Sequence, residues 1–136
     1  MALSKINPSK TKSWKKLSAH FDQIKEYHLR TLFDANPERA KKFSLKYGDL
    51  FVDFSKNRIT DETFELLLEL ADEVKLREGI AEYFSGENIN ETEGRAVLHT
   101  ALRAKKDDSV LVDGENVIPE IFEVRERIKV FSDEVL

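Results

Sequence analysis

Apolar positions recur at helical spacing over much of the chain. In INPSKTKSWKKLSAHF, Trp14, Leu17 and Phe21 stand at i, i+3 and i+7 and form one stripe, while Lys10, Lys12, Lys15 and Lys16 take the wet side. Asn7 suits an N-cap, and Pro8 suits the first helical position, where its missing N–H costs nothing. The pattern predicts a helix from there, with Trp14 and Phe21 in the core. A second helical stretch runs through Leu29, Leu32 and Phe33 and ends near Asn36-Pro37, and Pro37 can open a short third one towards Phe43.

Gly48 breaks the period, and DLFVDFS is a short run of β-formers between turn residues, read as a buried strand. Thr60 then caps a helix whose first turn carries Asp61 and Glu62, both favourable against the helix dipole. Phe64, Leu67, Leu68, Ala71 and Val74 supply its stripe, and Leu66 and Leu70 lie off it, so this helix is expected to sit between other elements. A shorter helical segment around Ile80 to Phe84 leads into Gly86.

Residues 88–106, NINETEGRAVLHTALRAKK, read as a further short helix. Asn90 and Glu93 have capping-box spacing, with Thr92 as the alternative cap, and Val97 with Ala101 and Leu98 with Leu102 are i, i+4 apolar pairs. In VLVDGENVI, Asp113-Gly114 between two apolar runs marks a tight hairpin turn. Pro119 starts a last helix with Ile121, Val124, Ile128 and Phe131 on one face. The sum is an α-rich α+β class, helices around a short strand and a β-hairpin, without a parallel sheet of its own.

Composition narrows the function classes. With 136 residues, 40% of them hydrophobic, the chain has the length of one domain and can bury an ordinary core. Its net charge of −4 is too mild to argue for nucleic acid or an acidic substrate, although residues 1–48 hold 11 Lys or Arg against 4 Asp or Glu. The absence of cysteine excludes disulfide scaffolding, thiol catalysis and zinc–thiolate sites and fits a reducing compartment. No apolar run approaches the roughly 20 residues that cross a bilayer, and the start lacks a signal-peptide segment, so a cytosolic protein without membrane or nucleic-acid partners is expected.

Candidate chemistry is sparse. On a helix over residues 88–106, Arg95, His99 and Arg103 fall at i, i+4 and i+8 and would share one edge. Such an edge can bind phosphate or carboxylate; the competing reading, which weighs more, pairs the arginines with carboxylates elsewhere and leaves His99 a satisfied, partly buried histidine. Ser9-Lys10-Thr11 lacks the glycines that wrap a phosphate and reads as part of a solvated lysine face. His20 and His28, eight apart, have no third ligand nearby, and no nucleophile or triad signature is present.

Several blocks nevertheless carry a likeness. Gly86, Ile89-Asn90, Thr92-Glu93, Arg95-Ala96-Val97-Leu98-His99 and Ala101-Leu102-Arg103 resemble the N-terminal signature of the glucose-6-phosphate isomerase (phosphoglucose isomerase) family. FSLKYGDLFVDFSKNRIT, VDGENVIPE and NPSKTKSWKKLSAHF agree in the same order. The resemblance covers essentially the whole chain but only the start of the family's.

The resemblance implies a cytosolic homodimer that interconverts glucose 6-phosphate and fructose 6-phosphate through a cis-enediol, without metal or organic cofactor. A histidine and a lysine open the ring, a glutamate shuttles the proton, and a serine/threonine-rich loop holds the phosphate. In family order all of these lie beyond Leu136, so no catalytic residue is assigned, and residues 1–136 are expected to be inactive alone. They resemble the helical lead-in to two parallel-sheet sugar-isomerase (SIS-type) subdomains, with Arg95, His99 and Arg103 as supporting contacts to that remainder. Apolar faces shaped to meet it should be exposed. The alternative is a stand-alone helical interaction module.

Overall fold

Asn7 and Thr11 set the start of the first helix in two steps. In the computed structural model, which describes residues 5–135, the Asn7 side chain accepts from Ser9 N–H and caps a 3₁₀ turn at Pro8–Lys10. The Thr11 hydroxyl then accepts from Trp14 N–H to cap α1, Lys12–Ile24. The chain divides into two compact units, Ile6–Val74 and Lys5 with residues 75–135.

In the first unit α1 is followed by α2 (Leu29–Ala35), α3 (Arg39–Lys42), the antiparallel strands β1 (Ser44–Tyr47) and β2 (Leu50–Asp53), and α4 (Asp61–Glu73). Thr60 and Thr63 close a reciprocal capping box at the start of α4, as Thr60 led one to expect. The faces that meet differ from the predicted stripes. α1 buries Ser13, His20 and Ile24, and Trp14 and Phe21 are exposed. α4 buries Thr63 and Leu66, while Phe64, Leu67 and Leu68 are exposed.

The reason is that the α1–α4 seam is built largely from hydrogen bonds. His20 Nε2 lies 2.7 Å from Thr63 Oγ1 and 3.3 Å from Thr60 Oγ1, which ties α1 to the cap of α4. Lys16 pairs with Glu69 at 2.7 Å. Glu73 Oε1 accepts from Lys12 N–H and Oε2 from Ser13 N–H, both at 2.9 Å, and Oε2 also accepts from the Ser13 hydroxyl. The carboxylate thus satisfies orphan donors at the positive end of α1.

These Ser13 and Lys12 donors hold the Glu73 pKa down, from 4.5 to about 2. A carboxyl group depressed in the fold lends stability that is whole above its unfolded pKa and is lost as pH falls through its folded one. The stability difference between wild type and Glu73→Gln should therefore be constant above about pH 5 and shrink between about pH 4.5 and pH 2. Urea titrations at stepped pH measure it, and a gap that widens in acid would contradict the assignment.

Arg39, 3% exposed, organises the segment after β2. Its Nε donates to Ser55 O at 3.0 Å and its Nη2 to Asn57 O and Ile59 O, each at 2.9 Å. The guanidinium lies 4.7 Å from the Phe43 ring centroid and 5.6 Å from that of Phe33. Phe54 joins Phe43 edge-on and stacks with Phe64, both at 6.0 Å.

DLFVDFS is not a buried strand. Its residues 50–53 are the second strand of an exposed hairpin whose register pairs Leu45 with Val52 and Tyr47 with Leu50. Cross-strand partners share a face, so these four apolar side chains stand together on one side, all exposed.

In the second unit α5 (Leu76–Ser85) ends on Gly86, whose φ of +82° is the left-handed C-cap conformation. β3 (Leu111–Val112) and β4 (Glu115–Asn116) form the expected hairpin, with positive φ at both Asp113 and Gly114. Asn116 Oδ1 accepts from Val110 N–H and Ile118 N–H, both at 3.2 Å, and leads the chain into α6, Ile118–Val135. Ile118 is fully buried. The described residues are therefore helix-rich, with two small antiparallel hairpins among them.

Candidate functional site

Residues 88–106 are not a helix. Asn90 and Arg95 exchange backbone hydrogen bonds of 3.1 and 3.2 Å and close a tight loop over residues 91–94. Only half of the predicted capping box is present: Asn90 Oδ1 accepts from Glu93 N–H at 3.4 Å, but Glu93 Oε2 accepts from Asn90 Nδ2, at 3.0 Å, and the Asn90 backbone N–H goes to Arg95 O. The pair closes a turn because Gly94, at φ +63°, takes the left-handed conformation that stops a helix from propagating. The chain then runs irregularly to a 3₁₀ turn at Ala101–Arg103, anchored by the fully buried Ala101.

Helical spacing therefore does not align the three cations. Arg95 and His99 border one open cleft of about 520 Å³, whose lining also includes the apolar Val97, Leu98, Leu102, Val112 and Ile121 and the polar Asn88, Asn90 and Asp113. Arg103 faces another hollow, beside Phe84, Thr100 and Asp108, and its Nη1 donates to His99 O at 3.2 Å. Arg95 Nε donates to Glu93, and Glu91 pairs with Lys5 at 2.7 Å. His99 is exposed, against the expectation of partial burial.

Such a cleft suits recognition better than reaction. It presents one guanidinium already partnered by Glu93, one imidazole, two amides and a carboxylate among apolar side chains. His99 and Asp113 are the lining groups able to move a proton, and no hydrogen bond among the described residues joins either to a nucleophile. No group of His, Asp or Glu able to hold a metal occurs among the described residues, and no described helix is long and apolar enough to cross a membrane.

Sequence reasoning missed the polar groups of greatest structural weight. Arg39, His20 and Glu73 each act on backbone or hydroxyl groups far along the chain, and neither Arg39 nor Glu73 stands in a motif. A usable signal existed for His20, which with Ser13, Leu17 and Ile24 keeps helical spacing at positions 13, 17, 20 and 24.

Comparison with known proteins follows the sequence blocks. The phosphoglucose isomerase family matches residues 53–136. A glucose-6-phosphate isomerase of Christiangramia forsetii is 47% identical over 98% of this chain and 25% of its own length. Those of Desulforapulum autotrophicum and Gloeobacter violaceus are 49% and 51% identical, over 98% and 90% of this chain and 24% and 22% of theirs. The chain thus spans about a quarter of the length of the curated relatives it matches.

Proposed function

Because the chain belongs to the phosphoglucose isomerase family, we propose that it is the N-terminal quarter of an aldose–ketose isomerase interconverting glucose 6-phosphate and fructose 6-phosphate. The observation that carries this reading is similarity over nearly the whole chain, at 47% identity, to an enzyme about four times as long. In this reading residues 1–136 are scaffold, and the histidine, lysine, glutamate and phosphate loop that work through the cis-enediol belong to the remainder. That remainder supplies the two SIS-type subdomains, and the complete enzyme is a cytosolic homodimer without metal or organic cofactor. Arg95, His99 and Arg103 contact the remainder as support, with Arg95 and His99 in one cleft and Arg103 in the next.

A chimera tests the reading. The chain replaces the matching quarter of the Christiangramia forsetii isomerase, and turnover is followed by a coupled assay. Activity is expected from the chimera and none from residues 1–136. Turnover by the purified short chain, free of full-length enzyme, would sink the proposal. In the chimera, Arg95→Ala should lower stability by about 2 kcal/mol, as for a hydrogen-bonded charged group, with KM unchanged. Unchanged stability and kinetics would remove Arg95 from the contact.

A further inference from the structure

Ile121, Val124, Ile128, Phe131 and Val135 recur along α6 at alternating steps of three and four residues. At 3.6 residues per turn they fall within an arc of about 80°, a strip of coiled-coil width. The first turn of α6 is anchored by the buried Ile118. Beyond it the strip opens to solvent, from 38% exposure at Val124 through 60% at Ile128 to 66% at Phe131 and 67% at Val135.

Helical stability in proteins comes mostly from packing of the apolar face rather than from propensity, so the outer turns depend on whatever covers the strip. Its width admits one helix, whose side chains insert between those of α6, and not a sheet. Charge narrows the choice further. Arg125 and Lys129 flank one side of the strip, and Glu120 and Glu134 flank the other, where Arg127 is engaged by Glu123 at 4.0 Å.

We infer that the α6 strip receives one amphipathic helix from the part of the full-length enzyme that this chain does not span. That helix carries acidic residues against Arg125 and Lys129 and basic residues against Glu120 and Glu134. The inference rests on reading the chain as an N-terminal quarter, because the relatives' further length is the source of the helix. A second copy of the chain is a poorer occupant. Two such strips would bring together only the five apolar residues of each copy and their flanking charges, far from the roughly 20–30 residues a side of a standard interface.

The test uses the chimera with Ile128→Glu and Phe131→Glu together, beside Val130→Glu, which lies on the opposite face of α6. The double variant should give at least about tenfold less folded, active enzyme, because it forces charge into the helix contact, while Val130→Glu should match the parent. In the isolated chain both variants should keep the parent's circular dichroism and melting temperature. A double-variant chimera as active and stable as its parent would overturn the inference. So would destabilisation of the isolated chain by the double change, which would place the cover within residues 1–136. A dimer of the isolated chain in analytical ultracentrifugation that the double change dissolves would assign the strip to a second copy. An inactive parent chimera, by contrast, refutes the N-terminal-quarter reading itself and the inference with it.

Discussion

Arg39→Met should lower the stability of the Ile6–Val74 unit by about 3–4 kcal/mol, a loss of the size that breaking a buried hydrogen-bond network produces. The guanidinium reaches three carbonyls, of Ser55, Asn57 and Ile59, from a site 3% exposed. Methionine fills much of the volume but donates nothing; Asn57 O keeps its bond from Ile59 N–H at 2.9 Å, while Ser55 O and Ile59 O lose the Arg39 donor, and a buried carbonyl without one costs about 1–3 kcal/mol, less whatever entering water recovers. Arg39→Lys should recover little. An ammonium on one stem cannot serve three acceptors in a fixed fork, nor offer the planar cation that lies 4.7 Å from the Phe43 centroid and 5.6 Å from that of Phe33. Trp14, the single tryptophan, lies on α1 of this unit, so its fluorescence follows the urea transition. A midpoint shift worth less than about 1 kcal/mol at unchanged slope would show that the segment after β2 holds its shape without Arg39.

Gly86→Ala should be comparably damaging in the other unit. A Cβ at Gly86 would stand 2.3 Å from Leu111 O, a backbone atom of β3 that cannot swing aside as a side chain would. The substitution also places a side chain at φ +82°, which alone costs about 1–2 kcal/mol. Together with displacement of the β3–β4 hairpin, the expected loss is about 3 kcal/mol or more. Gly94→Ala is the matched control, because Gly94 also has positive φ but a Cβ there meets nothing within 4 Å, so only the conformational part should appear. Hydrogen exchange at the Val117 amide, which bonds Val110 O at 3.0 Å, reports on the hairpin. Protection unchanged in Gly86→Ala would mean that α5 and β3 separate at little cost.

The features legible in the sequence were those whose cause is local. Asn7-Pro8, Thr60 and Asp113-Gly114 specify caps and a turn through atoms within three residues, and each does so in the structure. Burial was less legible, because α1 and α4 carry more apolar surface than they hide from each other. Counting hydrophobes therefore selected Trp14, Phe21 and Phe64, while the seam was occupied by Ser13, His20, Thr63 and Glu73. Residues 88–106 failed for another reason. The i, i+4 apolar pairs there are real, but Gly94 and the Asn90–Glu93 exchange settle the backbone as a turn before a helix can propagate. The family likeness depends on residue identity alone, so it was read correctly from the same stretch whose conformation was not.

The junction between Glu73 and the start of α1 bears on how the chain matures during synthesis. Lys12 and Ser13 leave the ribosome some sixty residues before the carboxylate that accepts from their amides. At the usual elongation rate of about 5–20 residues per second, the beginning of α1 waits roughly 3–12 seconds with those donors met only by water. The start of α1 therefore frays through that interval, since a helix of its length is marginal alone, and it locks only when α4 is complete.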